Sequence, residues 1–152
     1  MTIDTDGTVL QQADLATWCC WHASHANSWT VGIELVQHPD SADLWTAQMA
    51  ALVAVCDAAA VALAIPRRLL LDAGGAPLLR PVRGLMSPAA RGPGDPGPLL
   101  GGRGERWAGA LGHCQLVPSH VRGPGDPGPL PFEALLRAGW SGLAASPDGL
   151  LP

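Results

Sequence analysis

Trp29-Thr30-Val31-Gly32-Ile33-Glu34-Leu35-Val36 is the stretch that decides the fold. It is dense in β-branched residues, and strand alternation puts Val31, Ile33 and Leu35 on one face and Thr30, Gly32, Glu34 and Val36 on the other. The spacing predicts a strand with one carboxylate on it. A charge among Val, Ile and Leu has to be exposed, paired or set over a cleft, because burying it unpaired is costly. The functional reading of Glu34 is a carboxylate over a cleft, and the plain reading is a glutamate on a solvated face.

On the N-terminal side, Asp6-Gly7 stands between Thr2-Ile3-Asp4-Thr5 and Thr8-Val9-Leu10-Gln11-Gln12. That pattern predicts a hairpin whose two turn residues both take positive φ. On the C-terminal side, Met49, Leu52, Val53, Cys56, Ala60 and Leu63 recur at helical spacing from Thr46, the expected N-cap, until Pro66 ends the pattern. A helix of this kind covers a sheet. Beyond Pro66 the character changes: twenty-five of the thirty-four Gly and Pro residues fall between Gly74 and Pro131, which predicts a long loop. Phe132 to Ala138, with Gly139 as its stop, reads as a short closing helix.

The nonapeptide Arg91-Gly92-Pro93-Gly94-Asp95-Pro96-Gly97-Pro98-Leu99 recurs residue for residue as Arg122-Gly123-Pro124-Gly125-Asp126-Pro127-Gly128-Pro129-Leu130. Two copies are too few for a stacked repeat, and glycine does not fall at every third position as collagen requires. One copy is therefore expected to be spare.

Composition narrows the functional classes. A chain of 152 residues with 47% hydrophobic content can bury one core, so a single domain is expected. A net charge of −4, with nine scattered basic residues, offers no stripe to neutralise nucleic acid. The apolar stretch from Met49 to Ile65 is alanine-rich and broken by Asp57, so it reads as a buried helix and no membrane span is expected. The opening residues have neither the basic start nor the apolar run of a secretory signal. Cys19 and Cys20 are adjacent, Cys56 lies in a helical pattern and Cys114 stands alone, which is no disulfide framework.

Three segments together resemble the type-2 N-acetylmuramoyl-L-alanine amidases, which share their fold with the peptidoglycan-recognition proteins and phage lysozyme-like amidases. The first runs from Asp6-Gly7-Thr8-Val9 through Trp21-His22-Ala23 and Asn27 to Val31-Gly32-Ile33-Glu34-Leu35-Val36. The second is Thr46-Ala47-Gln48, and the third runs from Gly112-His113 to Asp126-Pro127-Gly128-Pro129. Each is weak alone; their joint occurrence, in the family's order, carries the resemblance.

The resemblance implies an α/β fold in one domain: a mixed sheet, built from the Asp6-Gly7 hairpin, the Glu34 strand and a strand at His113, flanked by helices. The amidase-like domain is expected over residues 1–140, with a Gly/Pro-rich loop insertion at about 69–107 and a C-terminal tail at 141–152. The implied activity is zinc-dependent cleavage of the amide between N-acetylmuramic acid and L-alanine in peptidoglycan or a muropeptide. His113 and Asp126 are implied as zinc ligands, with the plain reading a strand-end histidine and a turn aspartate. Cys114, next to His113 on a strand, would face the other way and is expected to be a small buried residue. Glu34 is implied as the catalytic glutamate. His22 and Asn27 match a substrate-cleft segment, and Trp18, Trp21 and Trp29 around them serve core packing equally well.

Two departures qualify this. Where the family often has a lysine two residues before the ligand aspartate, this chain has Pro124, and Arg122 or His120 is the alternative cation for the oxyanion. The family's first zinc histidine belongs several dozen residues before Asp6-Gly7, so the chain is expected to be incomplete at its N-terminus. The other accounts are a degenerate peptidoglycan-binding relative and replacement of that ligand by His22 or His25. Asp95, with no Gly-His before it, is not expected to be a ligand. The rival functions are a non-catalytic peptidoglycan-binding module and an inactive amidase fragment.

Overall fold

The computed structural model describes residues 1–14, 30–37, 45–80, 82, 99–100, 105–106, 108–116 and 128–145. They fall into two compact units, Met1–Leu63 and Ala64–Pro152. Each combines strands with helices, and the fold class is α/β with a mixed sheet.

The first unit is built on β1 (Thr2–Ile3), β2 (Val9–Leu10) and β3 (Glu34–Leu35), ordered β2-β1-β3. β2 runs antiparallel to β1 and β3 parallel to it. The hairpin falls at Asp6-Gly7, yet only Gly7 has positive φ, at +86°. Gly7 N–H donates to the Asp4 carbonyl at 3.0 Å and Asp4 N–H to the Thr8 carbonyl at 2.9 Å. This is a type I turn closed by a left-handed glycine, which leaves Asp6 on the ordinary side of φ, contrary to the expectation of two positive-φ residues. Asp6 Oδ1 instead accepts from Thr8 N–H at 2.8 Å. That hydrogen bond, with one from the Thr8 side chain, holds the Asp6 carboxyl below its ordinary range.

The expected eight-residue strand contributes only Glu34 and Leu35 to the ladder. β1 offers two partners before Asp4 turns away to close the hairpin, and that limits β3. The terminal amine of Met1 donates to the Gly32 carbonyl at 2.9 Å just before the ladder starts.

The expected helix is α1 (Thr46–Ala62). Its N-cap is Trp45, and Thr46, expected to cap, is instead the first helical residue; no side chain caps this end. At the other end Leu63 is the C-cap, and Ala64, with φ 53°, takes the left-handed position before Pro66. α1 lies against β1 and buries Gln48, Leu52 and Ala60. Gly7 also meets it: a β-carbon on Gly7 would lie 2.9 Å from the Ala47 carbonyl oxygen.

The second unit is centred on β4 (Arg68–Leu71), paired in parallel with β7 (Ser141–Ala144) over four residue pairs. β4 falls where the loop insertion was expected to begin, and β7 falls at the start of the expected tail. Leu69 and Leu70 are fully buried, and Leu70 joins Leu78, Val82 and Ala145 in a core that also takes Leu111 and Leu143. Apolar burial on this scale makes β4 a core element despite the Gly-rich stretch after it. Asp72 turns the chain straight after β4, its Oδ1 accepting from Gly74 N–H at 2.8 Å and Ala76 N–H at 3.0 Å. Within the expected loop, β5 (Leu99–Leu100) and β6 (Glu105–Arg106) form a short antiparallel pair.

The closing helix is α3 (Leu130–Arg137), two residues longer at its start than the sequence spacing indicated. Gly139, φ +89°, ends it: Gly139 N–H donates to the Leu136 carbonyl and Trp140 N–H to the Leu135 carbonyl, both at 3.0 Å. This paired closure is the Schellman arrangement, and it delivers Trp140 into the interior just ahead of β7. The two nonapeptide copies thus end differently, Leu99 opening a strand and Leu130 opening a helix. The difference comes from the residues on their C-terminal sides. Pro131-Phe132-Glu133-Ala134-Leu135 supplies an N-terminal proline and an apolar stripe, whereas Leu100-Gly101-Gly102 supplies neither.

Candidate active site

Glu34 stands on the outward face of the first sheet. It pairs with Thr2 across the parallel ladder, and Thr2 pairs with Leu10 on the other side, so these three side chains share one face. Ile3 and Leu35 take the opposite face, where Ile3 is fully buried. Glu34 is exposed, and Leu10 beside it keeps 59% of its surface. Glu34 N–H donates to the Met1 carbonyl at 2.9 Å and Val36 N–H to the Ile3 carbonyl at 3.0 Å, which fixes the backbone on both sides of the carboxylate.

His113 belongs to the second unit and is not on a strand. It is the first residue of α2 (His113–Leu116), a correction to the expected extended conformation. The cause is a side chain that sequence reasoning passed over. Gln115, almost fully buried, accepts from Gly112 N–H through Oε1 at 2.8 Å while its own N–H donates to the Gly112 carbonyl at 3.0 Å. This is the reciprocal half of a capping box, formed by the third helical residue on the N-cap, and it closes a helical turn around His113. Gln115 Nε2 donates to the Leu78 carbonyl at 2.6 Å, and Val82 N–H donates to the Gln115 carbonyl at 3.1 Å, tying the turn to the core. Arg68 Nε donates to the Ala108 carbonyl at 2.6 Å and anchors the approach to α2 on β4. The Gly112-x-x-Gln115 spacing was the available signal for this turn.

His113 is half-buried. Cys114 is fully buried and in no disulfide. Among the described residues, no group of three or more His, Cys, Asp or Glu side chains is placed to hold a metal ion. Asp126, Arg122, His120, His22, Asn27 and Asp95 all lie outside the described residues. Pro129, three residues beyond Asp126, edges an open cavity of about 410 Å³ that Asp72, Arg80 and Glu133 also line. Among the described residues, no helix is long and apolar enough to cross a membrane.

The first unit is thus a mixed sheet with a helix against it and the Glu34 carboxylate on its outward face. The comparison with known families is specific: the profile of the family described as N-acetylmuramoyl-L-alanine amidase matches residues 1–98. The chain belongs to that family, and with it to a peptidoglycan amidase type of function. The matched stretch holds the whole first unit, Glu34 and the first Asp-Pro-Gly-Pro at Asp95–Pro98, and it ends before His113 and Asp126. No curated protein and no solved structure gives a significant match.

Proposed function

We propose that the chain hydrolyses the amide joining N-acetylmuramic acid to L-alanine in peptidoglycan or a muropeptide, in a zinc-dependent reaction with Glu34 as general base. The observation that carries this reading is the position of Glu34: it lies inside the stretch matched to the family, on an outward sheet face, with its backbone fixed on both sides. The His113 imidazole and the Asp126 carboxylate would hold zinc, which would supply Lewis acidity and a water of lowered pKa. Glu34 accepts the proton of the attacking water as oxygen bonds to the carbonyl carbon, then delivers it to the amide nitrogen as the C–N bond breaks. Arg122 or His120 is the cation for the developing oxyanion, and His22 and Asn27 bind substrate.

The test is release of free L-alanyl amino groups from purified peptidoglycan with zinc and with chelator. Zinc-dependent release that Glu34→Gln cuts by about 10²-fold or more supports the reading. Sedimentation with insoluble wall, without release under either condition, would make the chain a peptidoglycan-binding module instead.

A further inference from the structure

Gln48 is the first-unit side chain whose chemistry neither the fold nor the proposed reaction absorbs. It sits on the inner stripe of α1, four residues before Leu52, at a position the helical pattern assigns to an apolar residue. It is fully buried. Its Nε2 donates to the Ile3 carbonyl at 2.9 Å and to the Val36 carbonyl at 2.7 Å. Two carbonyl acceptors leave no freedom to exchange the amide nitrogen and oxygen, so the orientation is fixed by chemistry. The consequence is an orphan: Oε1 is buried with no hydrogen-bond partner among the described residues. A buried amide that leaves an acceptor unsatisfied is destabilising relative to an apolar residue of the same volume, so its donors must supply something packing cannot.

What they supply is a rung. The ladder between β1 and β3 ends at the pair Ile3–Leu35, and Ile3 C=O already accepts from Val36 N–H. Gln48 fills the second lone pair of Ile3 and reaches the Val36 carbonyl, joining the two strands to the helix where backbone pairing stops. Val36 is two residues from Glu34.

We propose that Gln48 is the positioning residue for Glu34: its amide pins the end of β3 to β1 and to α1, and so sets where the carboxylate stands on the outward face. This rests on the reading of Glu34 as the general base. It is a role for the helix start as a fastener of the strand rather than as a contact to substrate.

Gln48→Met keeps the volume and removes both donors. Amide hydrogen exchange should show Val36 N–H losing protection by about tenfold, with Leu52 and Cys56 in α1 unchanged. Hydrolysis should lose about 10- to 100-fold in kcat with KM unchanged. In a Glu34→Gln background the same change should cost nothing more, because groups acting as a unit do not add. Unchanged protection at Val36, or an equal loss of kcat in both backgrounds, overturns the proposal. Full turnover by Glu34→Gln alone would instead sink the general-base reading, and the exchange of Val36 would still decide whether Gln48 holds the strand. If Gln48→Met does not fold, the parent chain carries the test: the Gln48 side-chain amide protons should exchange about 100-fold more slowly than those of exposed Gln11, and equal rates would overturn the proposal.

Discussion

Gly7 rests on Ala47, with the hairpin turn so close to the first turn of α1 that a β-carbon on Gly7 would lie 2.9 Å from the Ala47 carbonyl oxygen. Backbone is what it would strike, so no side chain can move aside. The same glycine has φ +86°, a region that L residues occupy only at a cost. Gly7→Ala should therefore destabilise the first unit by about 2 kcal/mol or more, strain and clash adding. Urea unfolding should show a lower midpoint with an unchanged slope; an unchanged midpoint would mean that the hairpin does not bear on the helix.

Glu34 is the sharpest functional prediction. Glu34→Gln removes the base but keeps size and polarity on an exposed position, so stability should change little. Turnover should fall by about 10²- to 10⁴-fold, the usual worth of a general acid–base group, while sedimentation with insoluble wall is kept. Loss of wall binding together with turnover would instead assign Glu34 to substrate contact.

Much of the first unit was legible in the sequence because its signals are local. Asp6-Gly7 marked the hairpin, the β-branched run marked the Glu34 strand, and Pro66 marked the helix end. What escaped was set by partners distant in sequence. The length of β3 depends on how soon β1 turns away at Asp4, and the roles of Gln48 and Gln115 depend on carbonyls 45 and 37 residues away. His113 is different, because its signal was local: a capping interaction from Gln115 on Gly112, three residues apart, outweighed the extended reading of an isolated Gly-His pair. The nonapeptide shows the weight of the residues that follow it, since the identical copies end in a strand at Leu99 and a helix at Leu130. Of the proposed site, the carboxylate strand could be read from periodicity, whereas the ligand set came from the resemblance alone.

The two Asp-Pro-Gly-Pro copies make a discriminating metal experiment. If His113 and Asp126 hold the zinc, His113→Ala and Asp126→Ala should each weaken zinc binding by about 100-fold or more, since a site with one ligand fewer loses most of its affinity. Asp95→Ala should leave it unchanged. Isothermal titration of the three variants checks this. Loss of zinc on Asp95→Ala with Asp126 intact would transfer the ligand role to the first copy, the one inside the stretch matched to the family.

Cys56 gives the chain an alkaline signature. Burial in α1 pushes its thiol up from an ordinary 9.0 to about 12, with the nearby Asp57 carboxylate adding to the shift. In the unfolded chain the thiol ionises near its ordinary value, while in the folded chain it stays neutral. The unfolded state thus binds fewer protons over that interval, and stability falls as pH rises from 9.0 towards about 12. Below the lower value the contribution is fully present. The chain contains no lysine and no tyrosine, so the cysteines are the side chains that titrate in this window. Urea midpoints measured across it should decline in the parent and decline less in Cys56→Ala. Alkylation of Cys56 in the folded chain near neutral pH should be slow, because the reactive thiolate is scarce there. Equal alkaline declines in parent and variant would place the titrating thiol elsewhere.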